Sequence, residues 1–305
     1  MISVVVCTYN RAGVLRRMLT AFFAQRDLDS TDHELIIVDN NSSDDTRAVV
    51  EQFNRSATLR YVFEQRQGLS CARNRAVAES RGEIVAFLDD DVIVDEHWLV
   101  KLQECFEATN ADVVGGRGYL LFEQEPPNWF GPFFRSFLSE VDHGPTRKVI
   151  PDGRGLFGLN LAFRRRALQA AGPFDENLGR KGSGTLGGEE TEIVTGIAAS
   201  GGLIIYDPDA AVGHIIDSDR VEWDRIKRLA IGMGISLALS EPPAGVATRV
   251  RRVLASLGDL VYRIPSLCWV LAANKTPYDK RVYVSRMRQK LGFLIGRTKH
   301  MWHRG

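Results

Sequence analysis

The sequence is poor in cysteine. Its 305 residues hold four, Cys7, Cys71, Cys105 and Cys268, far apart and with no C-x-x-C pair. That spacing excludes a disulfide-framed fold and a cysteine-built zinc site, and it reads as buried thiols in a reducing compartment. Internal repeats and low-complexity segments are also missing. Residues 253–273 are mostly apolar, but Asp259, Arg263 and Pro265 interrupt them, which makes a poor membrane-spanning helix. Residues 1–6 run directly into a strand pattern with neither a basic n-region nor a long apolar h-region. No signal peptide is therefore expected, and the chain is expected to start in the cytosol.

Net charge is nearly absent as well, at +1, but its distribution is uneven. Residues 245–305 carry 13 Lys/Arg against 2 Asp/Glu, or +11, which leaves −10 on the first 244 residues. An acidic body with a basic tail suggests different partners for the two parts. With Arg249, Arg251, Arg252, Lys275, Lys280 and Arg281 flanking it, and Tyr262 and Trp269 nearby, the apolar tail segment reads as an interfacial element on anionic lipid. A helical subdomain packed on the rest of the chain, or a homo-oligomer contact, is the competing reading. Hydrophobic residues at 44% and charged residues at 25% are ordinary globular values, so a sizeable core is expected.

Short apolar runs alternate with helical periods through the first 118 residues. Residues 2–7, 35–38, 59–63, 83–88 and 112–118 read as strands. Between them, Val14, Leu15, Met18, Leu19 and Phe22 keep helical spacing after Asn10, which reads as the cap. Helices are also expected over 44–53, 70–79 and 98–108. This alternation argues for a mostly parallel sheet with helices on both faces. Residues 122–158 are rich in proline and aromatics and suggest ordered loops around a site. Residues 161–170 read as a strand running into a helix. Residues 179–188 hold five glycines, the composition of a mobile loop. Beyond it come a helix over 189–200, short strands at 203–206 and 211–214, and helix from 221 onward.

Asp89, Asp90 and Asp91 directly follow the apolar run 84–88. Three adjacent carboxylates repel one another unless a cation or solvent relieves them. At the carboxyl end of a parallel strand they stand where open α/β sheets bind ligands, and Mg²⁺-type ions are usually held by one or two carboxylates plus substrate phosphates. Taken alone, the triplet reads better as a solvated turn capping the next helix; its context changes the reading. Residues 8–11 follow the first strand, residues 39–42 follow the second, and Gly68-Leu69-Ser70 opens the helix bearing Arg73 and Asn74. Several polar clusters thus converge on one sheet edge.

Val6-Cys7-Thr8-Tyr9-Asn10-Arg11, residues 38–46 (VDNNSSDDT), Gly68-Leu69-Ser70 with Ala72-Arg73-Asn74, and Phe87-Leu88-Asp89-Asp90-Asp91 together resemble the family 2 glycosyltransferases. The resemblance runs on through Asn160, Phe163-Arg164-Arg165, Gly172-Pro173-Phe174-Asp175 and Gly188-Glu189-Glu190-Thr191-Glu192. It covers about residues 1–217 and implies an inverting enzyme of the GT-A fold. The implied layout is an α/β catalytic domain over 1–220 with a mostly parallel, Rossmann-like sheet flanked by helices. Its nucleotide-binding half would span about 1–118 and its acceptor half about 119–220, with a helical C-terminal extension over 221–305.

The resemblance also implies roles. Thr8, Tyr9 and Asn10 would line the base pocket, Asp39 would hydrogen-bond the base, and Arg73 would sit near the base or diphosphate. Asp89 would approach the ribose, with Arg11 and Asp90 completing the donor site. Asp91 would bind Mn²⁺ or Mg²⁺, and His214 matches a position that often supplies another metal ligand. Where the family usually has Glu-Asp, this chain has Glu189-Glu190; Glu190 would be the general base, and the extra methylene leaves Glu189 as the alternative. Acids in a helix's first turn also complement its dipole.

The expected function is therefore transfer of a sugar, a hexosyl or N-acetylhexosaminyl group, from a nucleotide donor, UDP-linked for preference, to an acceptor hydroxyl. The acceptor would be a saccharide or a lipid-linked molecule in cell-surface polysaccharide or glycolipid synthesis, with the enzyme cytoplasmic or peripheral at the inner face of the cell membrane. A sugar nucleotidyltransferase would carry a glycine-rich phosphate loop after the first strand, which residues 8–11 are not. A non-catalytic, membrane-associated nucleotide-sugar-binding protein would lack an intact acid set, whereas Asp39, Asp89, Asp91 and Glu190 are all present. No nucleic-acid partner is expected, given the acidic body and the lack of a recognisable motif.

Overall fold

The computed structural model describes the chain apart from residues 54–57, 183, 185, 242–243, 274 and 303–305, and it describes no side chain at 300–302. Two residues of the glycine-rich stretch, 183 and 185, thus lie outside the described residues. Two compact units account for the chain. The first comprises residues 1–121, 139–182 and 189–215; the second comprises 122–138, 183–188 and 216–305.

The first unit is built on a sheet whose nine described strands are β1 (Ile2–Thr8), β2 (His33–Asp39), β3 (Leu59–Phe63), β4 (Ile84–Asp89), β5 (Val92–Val94), β6 (Val113–Phe122), β7 (Lys148–Val149), β8 (Asn160–Arg164) and β9 (Ile204–Ile216). Their order is β3-β2-β1-β4-β8-β6-β9-β5, with β7 beside β9. Strands β1 to β4 pair in parallel, as their unbroken apolar runs lead one to expect. Every residue of β2 is buried. Beyond β4 the sheet is mixed, because β8 runs antiparallel to both β4 and β6, and β9 antiparallel to β5. The largest side chains in the core include Trp98, Tyr206, Phe22 and Phe106. Each fully buried side chain of this kind contributes about 1.5–3 kcal/mol or more through apolar surface removed from water.

Helices α1 (Ala12–Phe23), α2 (Thr46–Phe53), α3 (Leu69–Glu79) and α4 (Trp98–Thr109) cross between these strands. The α1 stripe Leu15, Met18, Leu19 and Phe22 is buried, as its spacing predicts. Asn10 is not the cap of α1. Arg11 occupies the cap position without a side-chain capping bond, and the Asp44 carboxylate, from the loop after β2, accepts from the Ala12 N–H at 2.9 Å. Asn10 instead adopts φ +51° and accepts from the Ser43 N–H at 2.7 Å. The two short strands expected near residues 203–214 are one strand. Asp207, buried inside it, is held by Arg147 at 2.8 Å, so the charge that breaks the apolar pattern does not break the ladder.

The second unit contains α5 (Pro132–Arg135), α8 (Trp223–Leu239), α9 (Val246–Tyr262), α10 (Ile264–Ala272) and α11 (Pro277–Trp302), while α6 (Arg165–Ala171) and α7 (Glu189–Ala199) belong to the first. Helices α8 and α11 meet backbone to backbone through glycine. A Cβ on Gly234 would stand 1.9 Å from the Gln289 carbonyl oxygen, and one on Gly292 would stand 2.1 Å from that of Ile231. The 122–138 part of the stretch read as site loops instead packs its aromatics into this unit. Trp129 and Phe134 lie edge-to-face at 5.3 Å, and Phe134 meets Tyr278 at 5.9 Å.

Candidate active site

The parallel register brings the polar tips of the first strands level. Thr8 pairs with Asp39, and Cys7 with Asp89. Past these tips the chain needs polar partners, and it finds them across loops. Asp39 is buried, its carboxylate accepting from the Ser42 N–H at 2.8 Å and from the Tyr61 hydroxyl at 2.7 Å. Asn40 joins two loops, accepting from the Gly68 N–H at 2.8 Å and donating to the Arg66 carbonyl at 2.7 Å. Tyr9 is half-buried and Asn10 exposed.

The acid triplet follows β4. Asp89 is half-buried, Asp90 and Asp91 fully buried. Arg11 bridges the last two, with Nη1 at 2.7 Å from Asp90 Oδ1 and Nη2 at 2.8 Å from Asp91 Oδ2. Thr8 Oγ1 donates to Asp90 Oδ2 at 2.7 Å. Burial opposes the Arg11 charge, but Asp90 and Asp91 hold its pKa above the ordinary value. His214 Nε2 lies 3.3 Å from Asp91 Oδ2. That meeting is set by the backbone: Val92 pairs with His214, and the Ile215 N–H donates to the Asp91 carbonyl at 2.8 Å.

The second cluster centres on Arg73, which is buried and rests against an edge-to-face pair of rings, 5.8 Å from the Phe87 centroid and 5.7 Å from that of Phe174. Its Nη1 reaches Glu189 Oε1 at 2.5 Å and Glu190 Oε2 at 3.4 Å. The structure therefore brings Arg73 to the acid pair at the start of α7. A Cβ on Gly158 would strike the guanidinium at 2.2 Å, so only glycine leaves room for it. Burial, then the Glu190 charge, pushes Glu189 up to about 7. Burial acts on Glu190 too, but Arg73, its own backbone N–H and that of Gly158 hold it below the usual carboxylate range. Glu190 also keeps more of its side chain exposed, 15% against 2% for Glu189.

The two clusters share one neighbour. The Cys7 thiol, pushed up to about 12 by burial, lies within electrostatic reach of Arg73, Asp89, Asp90 and Glu189. Residues from β1, β4, α3 and α7 thus converge at the carboxyl ends of the parallel strands. Gly158 and Tyr61 join the site although nothing local in the sequence marks them for it, and Phe87 and Phe174, which stand in the motifs, gain a role there that their motifs do not state. Their signal is tertiary, a ring or a bare backbone placed against a charge.

A half-parallel sheet flanked by helices, with an acidic turn after β4 and an acid pair opening a later helix, has the architecture of the GT-A fold. The sequence profile of Glycosyl transferase family 2 matches residues 3–170, more than half of the chain, and the chain belongs to that family. Among curated relatives, the succinoglycan biosynthesis protein ExoM of Rhizobium meliloti (strain 1021) is 29% identical over 288 residues, 92% of this chain and 89% of the relative. A glucosyl-dolichyl phosphate glucuronosyltransferase of Haloferax volcanii is 25% identical over 231 residues, 73% of this chain and 72% of that protein. Among solved structures, the mannosyltransferase PcManGT of Pyrobaculum calidifontis, in complex with GDP-Man and Mn²⁺, shares the fold. Its TM-score is 0.63 at 20% identity, covering 100% of this chain and 88% of that one.

Proposed function

We propose that this glycosyltransferase moves a sugar from a nucleoside-diphosphate sugar, with UDP as the first nucleotide to test, to an acceptor hydroxyl with inversion. The reading rests on one observation: paired acids of two kinds, Asp90–Asp91 under Arg11 and Glu189–Glu190 on Arg73, flank the same strand tip. The names of ExoM and the Haloferax transferase support an acceptor that is a saccharide or lipid-linked, and with it peripheral placement at the inner face of the cell membrane.

Among the described residues no three potential metal-ligating side chains cluster. Asp91 and His214 nevertheless fit a divalent ion. Both are buried and they meet at 3.3 Å, and two protein ligands completed by phosphate oxygens and water suffice for a Mg²⁺-type site. Bound by that pair, Mn²⁺ or Mg²⁺ would supply neutralising charge for a leaving diphosphate. Arg11 adds fixed positive charge at the same acids. Glu190, ionised and partly exposed, takes the proton of the attacking hydroxyl, while Glu189 and Arg73 fix its position. Inversion follows from direct attack on the face opposite the leaving group. Thr8, Tyr9, Asn10 and Asp39 line the strand tips and would receive the base; Asp89 would receive the ribose.

Thermal unfolding of the full chain with UDP- and GDP-sugars, with and without Mn²⁺, tests this. A ligand at about 100 times its Kd adds about 2.7 kcal/mol of stability. The metal-dependent part of that gain should vanish in Asp91→Ala, with transfer falling about 10²- to 10³-fold, while the unliganded unfolding curve stays cooperative. A gain that survives intact in Asp91→Ala removes the metal assignment.

A further inference from the structure

Outside the acidic site, α9 and α10 are anomalous, since neither buries a single residue. Helix α9 is two-faced. One face is committed to α11: Ser256 Oγ accepts from Arg297 at 2.7 Å, and Asp259 pairs with Lys290. The opposite face carries Val246, Val250, Leu254, Leu257 and Val261, between 39% and 74% exposed. Their spacing of four, four, three and four residues is that of one helical stripe. Tyr262 at the end of α9 and Trp269 in α10 are 82% and 62% exposed. Soluble proteins rarely leave a continuous apolar band of this kind in water unless something covers it.

Charge and shape indicate what does. The stripe lies within the segment of +11 net charge, and Arg251 in α9 and Lys275 after α10 stand exposed. Lys275 lies 5.5 Å over the Trp269 ring. Between α10 and α11 a groove of about 320 Å³ is lined by Trp269, Tyr278 and Tyr283 together with Lys275, Arg286 and the carboxylate of Asp279, so its charge is mixed with one positive in excess. Apolar stripe, interfacial aromatics and flanking cations are the three elements of a helix that lies in a bilayer surface. Residues 246–272 are long and apolar enough to cross a membrane by length and composition. A crossing, however, would carry Asp259 and Arg263 into hydrocarbon, where charge is strongly disfavoured, and would tear Asp259 from Lys290.

We infer that the exposed face of α9, with α10, docks flat on an anionic phospholipid bilayer, with Lys275 and Arg286 among the cations that face the headgroups. This deepens the peripheral placement proposed above and is independent of the acid chemistry.

The test is flotation of the full chain with vesicles of phosphatidylcholine alone or with about 30% phosphatidylglycerol, at about 0.1 M salt where surface charge still acts over ~10 Å. The wild-type chain should float with the anionic vesicles at least about tenfold more than with the neutral ones, and a high-pH carbonate wash should release it. Leu254→Glu with Leu257→Glu should abolish flotation, and Lys275→Glu with Arg286→Glu should erase the preference for anionic lipid. In both variants the unfolding midpoint and the nucleotide response should stay unchanged. Equal flotation of the leucine variant overturns the inference, as does retention of the wild-type chain through the carbonate wash. A wild-type dimer that the leucine variant splits without vesicles assigns the face to a second copy and likewise overturns it. Because nucleotide response is read on the same samples, loss of the membrane face and failure of the transferase reading are separable.

Discussion

The two units handle charge and apolar surface in opposite ways. In the first, charges are drawn inside: Arg73, Asp91 and Glu189 are at most 5% exposed along their side chains, each against a partner of opposite sign. In the second, α9 leaves its aliphatic side chains in solvent and directs its acid toward a neighbouring helix. Burying ions is unfavourable unless they are paired, and so is wetting a row of leucines and valines. The first unit relieves its ions by pairing them, whereas the apolar row of the second is left for a ligand to cover. A diphosphate and an acceptor suit the first, a lipid surface the second.

The comparison can be broken most decisively at the acid pair. Glu190→Gln should lower transfer about 10³-fold with donor affinity nearly unchanged. Glu189→Gln should cost less, and an equal loss in that variant alone would move the base to Glu189. Next comes the buried cation. Arg73→Met strands two carboxylates among phenyl rings and should lower unfolding stability by about 3–5 kcal/mol in urea titrations. In the second unit, Gly234→Ala forces α8 and α11 apart and should cost about 1–3 kcal/mol, with the first unit's nucleotide response retained.

The smallest effect is on pH. Glu189 sits near 7 in the folded chain against 4.5 ordinarily. A folded value raised in this way contributes stability that is complete below about 4.5 and lost as pH rises through about 7. Between pH 5 and 8 the wild-type urea midpoint should therefore fall relative to that of Glu189→Gln, and a constant gap would show that the group does not titrate in that window.

Much of this was legible because the parallel strands are buried on both faces and read as plain apolar runs. β1 to β4 and the acid turn after β4 needed no tertiary information. β5 leaves no sequence signal because Val92–Val94 is three residues long and directly follows the acid triplet. β9 resembles two pieces in sequence because Asp207 and Pro208 look like a break until Arg147, sixty residues away, is placed on the aspartate. Arg73 reads locally as a cation near a helix start, fit for an anion. Its partners lie over 100 residues further on, and Phe174 is equally remote, so no window of sequence could pair them. Asn10 misleads for the same reason, since the group that caps α1 comes from Asp44, in another loop.

Asp91 and His214 stand on adjoining rungs of one antiparallel ladder, locked by the Val92–His214 pairing and the Ile215-to-Asp91 backbone bond. Their separation is thus a constant of the main chain, and any tilt of those strands carries both groups together. In the proposed ion site the two positions would act as exchangeable sockets: swapping the imidazole for a carboxylate or a thiolate would retune the pair from borderline toward harder or softer cations while leaving the scaffold alone. Ion preference could then drift within a lineage by single substitutions at position 214, without a second change to repair the fold.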